Sequence, residues 1–414
     1  MAEEKAPSGF KKKIDEITAK IDAAAIKAAN AVNTFSLPFR DITRKTAGKI
    51  AITAAALASV VVLIAAGADL SPAAIAQGAK DKRALAGASG EGYPLDMDGS
   101  RAISAAGIAN GTALLTNTNY IVLDGDGREV ISEAHYMASP VMKTADRYTL
   151  LFDRRATSYT LKTLSGSICS GKTDHAIITG AVSRSGRFAV VTQHDTANSY
   201  VSVYSKSGSV LHKWKSSTYH ISDITINPSG SQIAMCGVTT TDDGQLKSCV
   251  IIQKVGGSQN LREYVFDGTL IFSVQFTDSD NVTAIGDDMA ARVAANTERK
   301  LTYRYDDRTL TGFAVSDNGN LALALSAHSD GQNTTVTVLN TAFHEVVTLE
   351  TALDSPYIEL TNSRINLIGA SEFYSYTLGG KSVKTAEIPA DSESVLTSEG
   401  KVLIKGISTI TKVD

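Results

Sequence analysis

The sequence has few of the residues that would assign it a chemistry. Its 414 residues include only three Cys and one Trp. Three Cys in a chain of this length exclude a fold built on disulfides, and the odd number leaves at least one thiol unpaired within the chain. The single Trp214 offers little aromatic platform for a large planar cofactor. We therefore predict no cofactor.

Sequence motifs of known enzymes and metal sites are also lacking. The seven His show no H-E-x-x-H motif or other close ligand spacing, and no G-x-S-x-G nucleophile motif occurs. His212 and His220 flank Trp214 in a segment that alternates like an outer strand, so we expect them at the surface. The sequence thus predicts no catalytic, cofactor-binding or metal-binding residue, and an enzyme is the less favoured interpretation.

Two motifs resemble ligand sites but lack the context that such sites need. Residues 166–173 fit the phosphate-loop pattern G-x-x-x-x-G-K-[ST], which requires a helix after it. The following residues 175–180 are strand-like and too short for that helix, so we expect a loop between two repeats. Residues 124–129 resemble a calcium loop without its third oxygen ligand and its late bidentate Glu, and we predict a polar hairpin turn.

Cys236 and Cys249 flank a polar turn at residues 241–244. If that turn centres on Asp242 and Asp243, the two Cys would face each other across a hairpin. A disulfide is permissible there if the domain lies outside the membrane. The favoured prediction is nevertheless two free, half-buried thiols.

Residues 50–68 form a run of nineteen residues without a charge, about the length that a helix needs to cross a membrane. Arg40, Arg44, Lys45 and Lys49 lie within ten residues before it, whereas the first basic residues after it begin at Lys80. Because cytoplasmic flanks carry the excess of Lys and Arg, we predict a single-pass span with a cytoplasmic N-terminus. Forty-nine residues before the run are too many for an ordinary cleavable signal.

The two sides of this span differ in charge. Residues 1–49 carry ten basic and six acidic residues, and the remainder carries 30 basic and 37 acidic ones. The acidic remainder argues against nucleic-acid binding. In the basic segment, apolar residues from Phe10 to Ala28 recur at helical spacing, which predicts an amphipathic helix over residues 8–31. This helix could form a coiled coil, lie on the inner leaflet or be a solvated stalk.

Beyond the span, residues 69–92 are rich in Ala, Gly and Ser and are interpreted as a linker. Residues 93–414 then show short alternating apolar and polar runs between turn residues, which is typical of strands. One segment recurs as a strand end, a polar turn and a more apolar strand. Its anchor positions are 44, 50 and 39 residues apart, at Val182, Ile226, Phe276 and Val315.

A period of 40–50 residues made only of strands is typical of the blades of a β-propeller. We therefore predict an all-β fold for residues 93–414, with seven blades favoured and eight as the alternative. The strand pattern at residues 402–413 could complete a blade begun near Ile103 and so close the ring. A sandwich and an open solenoid are the other folds that this pattern allows.

The strand-rich part resembles a family of uncharacterised bacterial membrane proteins of the type found in Gram-positive anaerobes. The resemblance lies in residues 111–117, 120–127, 135–142 and 201–214. It implies a short cytoplasmic head, one span and an exterior propeller-like domain of unknown function. It implies no activity, cofactor or catalytic residue.

Two functional hypotheses follow. In the first, the propeller is an extracytoplasmic binding or scaffold module that presents one face of loops to a protein partner. In the second, it is an envelope enzyme or cofactor-binding protein that uses the central channel. The fold alone cannot decide between them. We favour binding, because the sequence offers no evident cluster of acidic, His or Arg side chains for the channel.

Overall fold

A computed structural model describes residues 72–413 except 98, 259, 329–332, 352 and 355. The predicted membrane span at 50–68 and the N-terminal segment 1–49, with its helix at 8–31, lie outside the described residues. No helix among the described residues is long and apolar enough to cross a membrane. The chain divides into two compact units with the boundary after Gly78, and the second unit contains the whole propeller.

The segment predicted only as a linker contains a helix, α1 (Pro72–Ala86). Its abundant Ala is the strongest helix former. Within the second unit, Ser165 Oγ donates a hydrogen bond to Asp81 Oδ1 at 2.7 Å, and Leu85 packs against buried apolar residues. The end of this helix is therefore attached to the propeller.

The remaining described residues form thirty-two strands in eight sheets of four, so the prediction of an all-β propeller is confirmed. In seven of these blades the four strands follow one another in the chain and are all antiparallel. Blade 1 consists of β2 (Ala102–Ile108), β3 (Gly111–Thr116), β4 (Asn119–Leu123) and β5 (Glu129–Ala134), and blade 2 consists of β6 (Pro140–Ala145), β7 (Tyr148–Asp153), β8 (Ser158–Thr163) and β9 (Gly166–Lys172). Blade 3 consists of β10 (Ile177–Val182), β11 (Phe188–His194), β12 (Ala197–Tyr204) and β13 (Val210–Ser216), and blade 4 consists of β14 (His220–Ile226), β15 (Gln232–Thr240), β16 (Leu246–Lys254) and β17 (Asn260–Asp267).

Blades 5 to 7 repeat this order, and blade 8 joins the two ends of the propeller. Blade 5 consists of β18 (Ile271–Phe276), β19 (Asn281–Gly286), β20 (Met289–Ala294) and β21 (Lys300–Arg304), and blade 6 consists of β22 (Thr309–Val315), β23 (Leu321–Ser326), β24 (Thr334–Leu339) and β25 (Glu345–Glu350). Blade 7 consists of β26 (Tyr357–Leu360), β27 (Arg364–Ile368), β28 (Glu372–Thr377) and β29 (Ser382–Glu387). Blade 8 consists of β30 (Ser394–Ser398), β31 (Lys401–Lys405) and β32 (Thr409–Lys412), together with β1 (Leu95–Asp96).

The favoured number of seven blades was wrong, and the alternative of eight is correct. The four anchor positions do end the first strands of blades 3 to 6, as the repeat predicted. However, the first strands of blades 1 and 2 end at Ile108 and Ala145. The spacing from Ile108 to Ala145, and again from Ala145 to Val182, is only 37 residues. Dividing the strand-rich part by the period of the longer central blades therefore predicts one blade too few.

The ring closes through both ends of the propeller, but not at the position that was predicted. Blade 8 takes three strands from the C-terminal end, and β1 pairs with β32 as its fourth strand, with Leu95 opposite Ile410. Ile103 instead lies in β2, the innermost strand of blade 1. Pairing the first strand with the last covers the outer edge of β32 and holds the two ends of the ring together.

The core consists of eight clusters of buried apolar side chains, each shared by two neighbouring blades. The cluster between blades 3 and 4, for example, joins Val201 and Val203 to Ile221, Ile224 and Met235. Burying a side chain of this size contributes about 1.5–3 kcal/mol. The blades therefore stack through their faces, and the first strand of each blade lines the central channel.

Candidate functional site

The connections between strands divide the ring into two ends. Loops from the second to the third strand of a blade, and from the fourth strand to the next blade, all lie at one end. We call this end the loop face. The loops from first to second and from third to fourth strands lie at the opposite end. Because loops carry most binding residues of such folds, each end is a candidate site.

Most exposed large apolar side chains of the propeller lie at the loop face or just inside its channel mouth. Tyr136 is fully exposed, Tyr357 is 55% exposed and Phe272 is 37% exposed. We define the apolar rim as the following six residues: Ile103, Tyr136, Leu270, Phe272, Tyr357 and Ile407. Among the described residues of the propeller, the other exposed large apolar side chains lie on fourth strands, at Val210, Leu211, Val346 and Val383. Because six of the ten described side chains of this kind lie at one end of the ring, that end is the better candidate for an interaction site.

Hydrogen bonds hold the loop that presents Tyr136. His135 Nε2 lies 2.9 Å from the carbonyl oxygen of Thr116 in blade 1. On the other side of Tyr136, the amides of Ala138 and Ser139 donate to the buried Asp153 carboxylate of blade 2 at 3.1 and 2.8 Å. The loop is therefore fixed between two blades, and its tyrosine ring projects from a rigid support.

The loops that carry Leu270 and Ile407 are fixed in the same way. The amide of Leu270 donates to Asp287 Oδ1 at 2.9 Å, and that of Ile407 donates to Asp391 Oδ2 at 3.1 Å. The carbonyl oxygen of Ile407 also accepts the amide of Ala102 from blade 1 at 2.7 Å. Rigid support of this kind lowers the entropy lost when a partner binds.

A recurring β-bulge aims two rim residues into the channel mouth. Five innermost strands shift register near their start, and the extra residue is Ile103, Ile178, Ser222, Phe272 or Thr311. A bulge re-aims the side chain of the extra residue. Phe272 thereby meets Phe313 of blade 6 edge to face, with ring centroids 6.0 Å apart.

The loop face is acidic, whereas the opposite end is nearly balanced in charge. The described loop-face connections contain eleven acidic and four basic residues, and those of the opposite end contain eight acidic and seven basic ones. Six loop-face carboxylates are exposed and have no basic partner among the described residues: Asp174, Asp242, Asp243, Asp306, Asp307 and Asp354. A hydrogen bond from the Thr241 hydroxyl lowers the pKa of Asp243, which favours its charged form.

The innermost strands place few residues capable of acid–base or nucleophilic catalysis in the channel. In the described part, their only charged or His residues are Lys143, His220, Asp223 and Glu359. Asp223 Oδ2 accepts the amide of Val274 at 3.1 Å, and Glu359 Oε2 accepts the Thr397 hydroxyl at 2.8 Å. These two carboxylates are thus used to join neighbouring blades. The described residues contain no group of three or more His, Cys, Asp or Glu that could hold a metal ion.

The two misleading motifs have structural roles. Residues 124–129 form the predicted turn, in which Asp124 Oδ1 accepts the amides of Asp126 and Arg128 at 2.9 Å. Residues 166–172 of the segment predicted as a loop instead form the outer strand β9, so that prediction was wrong. A Cβ at Gly171 would lie 2.5 Å from the hydroxyl oxygen of Tyr159, so packing against this ring accounts for glycine there.

His212 and the two neighbouring Cys also depart from expectation. His212, expected at the surface, is 9% exposed, and its Nε2 lies 3.0 Å from Gln253 Oε1 of blade 4. Cys236 pairs with Val250, and Cys249 pairs with Gly237. This offset of one residue directs the two thiols to opposite faces of blade 4, so no disulfide joins them. Both are free as favoured, but fully buried rather than half-buried.

Comparison with known proteins agrees with this architecture. A model of a family of unknown function, DUF5711, matches residues 95–413, from β1 to the end of the ring. The chain belongs to the DUF5711 family. The resemblance to an uncharacterised family with a propeller-like domain is therefore confirmed for the DUF5711 region, while its bacterial type and membrane span stay predictions. No curated protein sequence matches the chain.

Several solved structures are similar to this DUF5711 protein. BamB from Moraxella catarrhalis has a TM-score of 0.53 and 9% identity, over 78% of this chain and 99% of BamB. Kluyveromyces lactis Hsv2 has a TM-score of 0.49 and 9% identity, over 70% of this chain and 100% of Hsv2. The β-propeller domain of Myceliophteria thermophila Cps50 (Swd1) has a TM-score of 0.47 and 11% identity, over 70% of this chain and 97% of the Cps50 chain. At 9% identity, the likeness to BamB shows the fold alone.

Proposed function

We propose that this DUF5711 protein is a binding module whose loop face holds a segment of a partner protein. The partner segment presents apolar side chains flanked by basic residues. The observation that carries this proposal is that the apolar rim and six exposed carboxylates, none of them ion-paired within the described part of the chain, lie at the same end of the ring.

The apolar rim has the composition of a protein-binding surface. Aromatic residues dominate the binding energy of protein interfaces, and they act best on a rigid support. Tyr136, Phe272 and Tyr357 are such residues, and the loop of Tyr136 is fixed on both sides by hydrogen bonds. Six residues spread over several blades suit an extended partner segment better than a small molecule.

Charge defines the other property of the partner. Complementary charges steer partners together and select among them. The exposed pairs Asp242–Asp243 and Asp306–Asp307, with Asp354, place negative charge on several blades around the rim. A basic segment gains from this field, whereas an acidic segment is repelled. Binding should consequently weaken as salt concentration rises.

Catalysis in the channel is less favoured than binding. The innermost strands carry four charged or His residues in the described part, and Asp223 and Glu359 are engaged between blades. A catalytic site would need titratable groups that converge on one position.

We also propose that residues 50–68 anchor the protein in a membrane, with residues 1–49 in the cytoplasm and the propeller outside. The excess of Lys and Arg before residue 50 supports this orientation. Protease treatment of intact source cells, stripped of any wall, tests it. We expect the propeller to be digested while a tag at the N-terminus survives; protection of the propeller until lysis would contradict the orientation.

A quantitative pull-down tests the binding function. The tagged full chain is produced in its source cells, chemically cross-linked and purified, and the captured proteins are quantified. We expect the double variant Tyr136→Ala/Phe272→Ala to lose at least about tenfold of the principal partner, because hot-spot truncation costs about 2 kcal/mol or more. The control Val210→Ala/Val346→Ala removes exposed apolar side chains from fourth strands. Equal capture by both double variants would refute the proposed face.

A further inference from the structure

The interface between blades 7 and 8 is packed differently from the others. Every pair of neighbouring blades shares a cluster of buried apolar residues. Among the described residues, the cluster between blades 7 and 8 is the smallest, with only Ile368, Phe373, Val395 and Ile404. This interface is therefore closed by something other than apolar packing alone.

A row of polar side chains crosses blade 7 at this interface. Glu359, Asn366, Ser375 and Lys384 lie directly opposite one another on β26, β27, β28 and β29. Directly opposite residues of a sheet project from the same face. Asn366 Nδ2 donates to Glu359 Oε2, and Ser375 Oγ donates to Asn366 Oδ1, both at 2.8 Å. We call these four residues the polar row.

Blade 8 contributes to the same network. The hydroxyl of Thr397 in β30 donates to Glu359 Oε2 at 2.8 Å, and its amide donates to Glu359 Oε1. Asn366 and Ser375 are both at least nine-tenths buried. Buried polar groups are costly unless they are satisfied, and here they satisfy one another. The polar row is therefore an ordered wall rather than a packing defect.

A cavity of about 750 Å³ lies beside this wall, toward the end of the ring opposite the loop face. The polar row and Thr397 line it on one side, and Val402 and Val413 contribute apolar surface. Pockets of about 300–1,000 Å³ that combine apolar walls with a few polar groups are typical of small-molecule sites.

The charges around the cavity indicate which kind of molecule it binds. Arg364 and Lys384 both line it and are half-buried, and neither has an acidic partner among the described residues. The acidic groups of the lining are already engaged. Glu359 accepts hydrogen bonds from Asn366 and Thr397, and Asp317 pairs with Arg184 at 3.0 Å. Arg364 and Lys384 thus form no ion pair among the described residues, and the negative charge of Glu359 lies at the opposite end of the polar row from Lys384.

We propose that the cavity between blades 7 and 8 binds a small organic anion through a carboxylate or phosphate group. Arg364 offers the planar pair of donors that fits such oxygens, and Lys384 supplies a second positive charge. The Asn366 amide nitrogen has a second N–H besides the one that it donates to Glu359, and this N–H orients the polar part of the ligand. Val402 and Val413 cover its hydrocarbon part. This site is independent of the binding face proposed above.

Calorimetric titration of the purified full chain with three probes tests the site. The probes are inorganic phosphate, citrate and glucose 6-phosphate. We expect at least one of them to bind with a stoichiometry of one. A response to the phosphate compounds alone assigns a phosphate ligand, and a response to citrate alone assigns a carboxylate ligand. Absence of binding by all three up to millimolar concentration would overturn the proposal.

Variants distinguish this site from general attraction of anions. Arg364→Gln/Lys384→Gln should weaken binding by at least about tenfold, as the loss of a charge-assisted hydrogen bond does. The control Lys172→Gln/Lys215→Gln makes the same change in net charge at exposed positions of fourth strands in blades 2 and 3. Val402→Trp fills the cavity without changing charge and should also abolish binding. Unchanged affinity in the cavity variants, or an equal loss in the control, would refute the site.

Discussion

Leu95 lies directly opposite Ile410, so the first strand of the propeller pairs with the last. Ile410 is fully buried, and Met97, just after β1, is 7% exposed. The pairing thus adds apolar contacts as well as backbone hydrogen bonds to blade 8. Closure by β1 should be a principal determinant of the stability of the ring.

Replacing residues 93–97 by a Gly/Ser linker of equal length removes this closure. We expect a loss of about 3 kcal/mol or more in the free energy of unfolding, because buried Met and Leu contacts disappear. The exposed edge of β32 should also promote aggregation. Urea unfolding monitored by circular dichroism measures the first effect, and light scattering measures the second. The same replacement at the exposed turn 241–245 is the control, and equal stability of the two variants would contradict closure by β1.

The three thiols should differ sharply in their reactivity. Cys169 is half-buried, whereas Cys236 and Cys249 are fully buried and free. Burial raises the pKa of Cys236 to about 12 and also raises the pKa values of Cys249 and Cys169. We expect iodoacetamide at pH 8 to add at most one group to the native protein, slowly and at Cys169. Intact mass should show three groups after denaturation without reductant; only one would indicate a disulfide.

Tyr305 should tolerate loss of its hydroxyl. The residue is fully buried, and its hydroxyl has no hydrogen-bond partner in the described structure. Because an unsatisfied buried polar group costs about 1–3 kcal/mol, Tyr305→Phe should leave stability unchanged or raise it. Tyr120 is the matched control, since its buried hydroxyl lies 3.2 Å from Thr149 Oγ1. Tyr120→Phe should cost about 1 kcal/mol in thermal or urea unfolding. The reverse order of the two variants would contradict these assignments.

Alkaline pH should destabilise the propeller through its buried tyrosines. Burial raises the pKa values of Tyr159 and Tyr219 to about 12, and those of Tyr120 and Tyr305 further. The native state therefore retains phenolic protons that the unfolded chain releases near pH 10. Linkage then requires stability to be complete below pH 10 and to fall as pH rises toward 12. Urea unfolding from pH 8 to 11.5 measures this, and a flat profile would contradict it.

The sequence predicted the propeller because its central blades share one turn. Blades 3, 4 and 6 connect their first two strands through a polar turn with a left-handed glycine: Gly186, Gly230 and Gly319. Blades 1 and 2 use Asn110 and Asp146 in the same conformation, which Asn and Asp tolerate. Because these two-residue turns lack the glycine, the repeat is hard to recognise in blades 1 and 2, and the predicted number of blades was one too low.

The apolar rim was harder to predict. Tyr136 lies in a segment that carried the family resemblance, yet its exposure depends on Thr116 and Asp153 in two different blades. For Phe272, by contrast, the local sequence does indicate a bulge. Ile271 and Val274 are both buried at a spacing of three, as are Ile221 and Ile224, and this spacing marks a bulge in an alternating strand. The cavity between blades 7 and 8 requires strand register, which the sequence does not contain.

Site-specific photo-cross-linking tests the central proposal, partner binding at the loop face, most directly. A photoreactive amino acid replaces Tyr136 or Tyr357 on the apolar rim, or Ser207 or Lys381 at the opposite end, in the full chain in its source cells. All four positions are exposed, so accessibility is matched. We predict that both rim positions yield the same adduct and that the yield of this adduct falls when salt is added to lysed cells. Equal adducts from both ends, or adducts from Ser207 and Lys381 alone, would contradict the account.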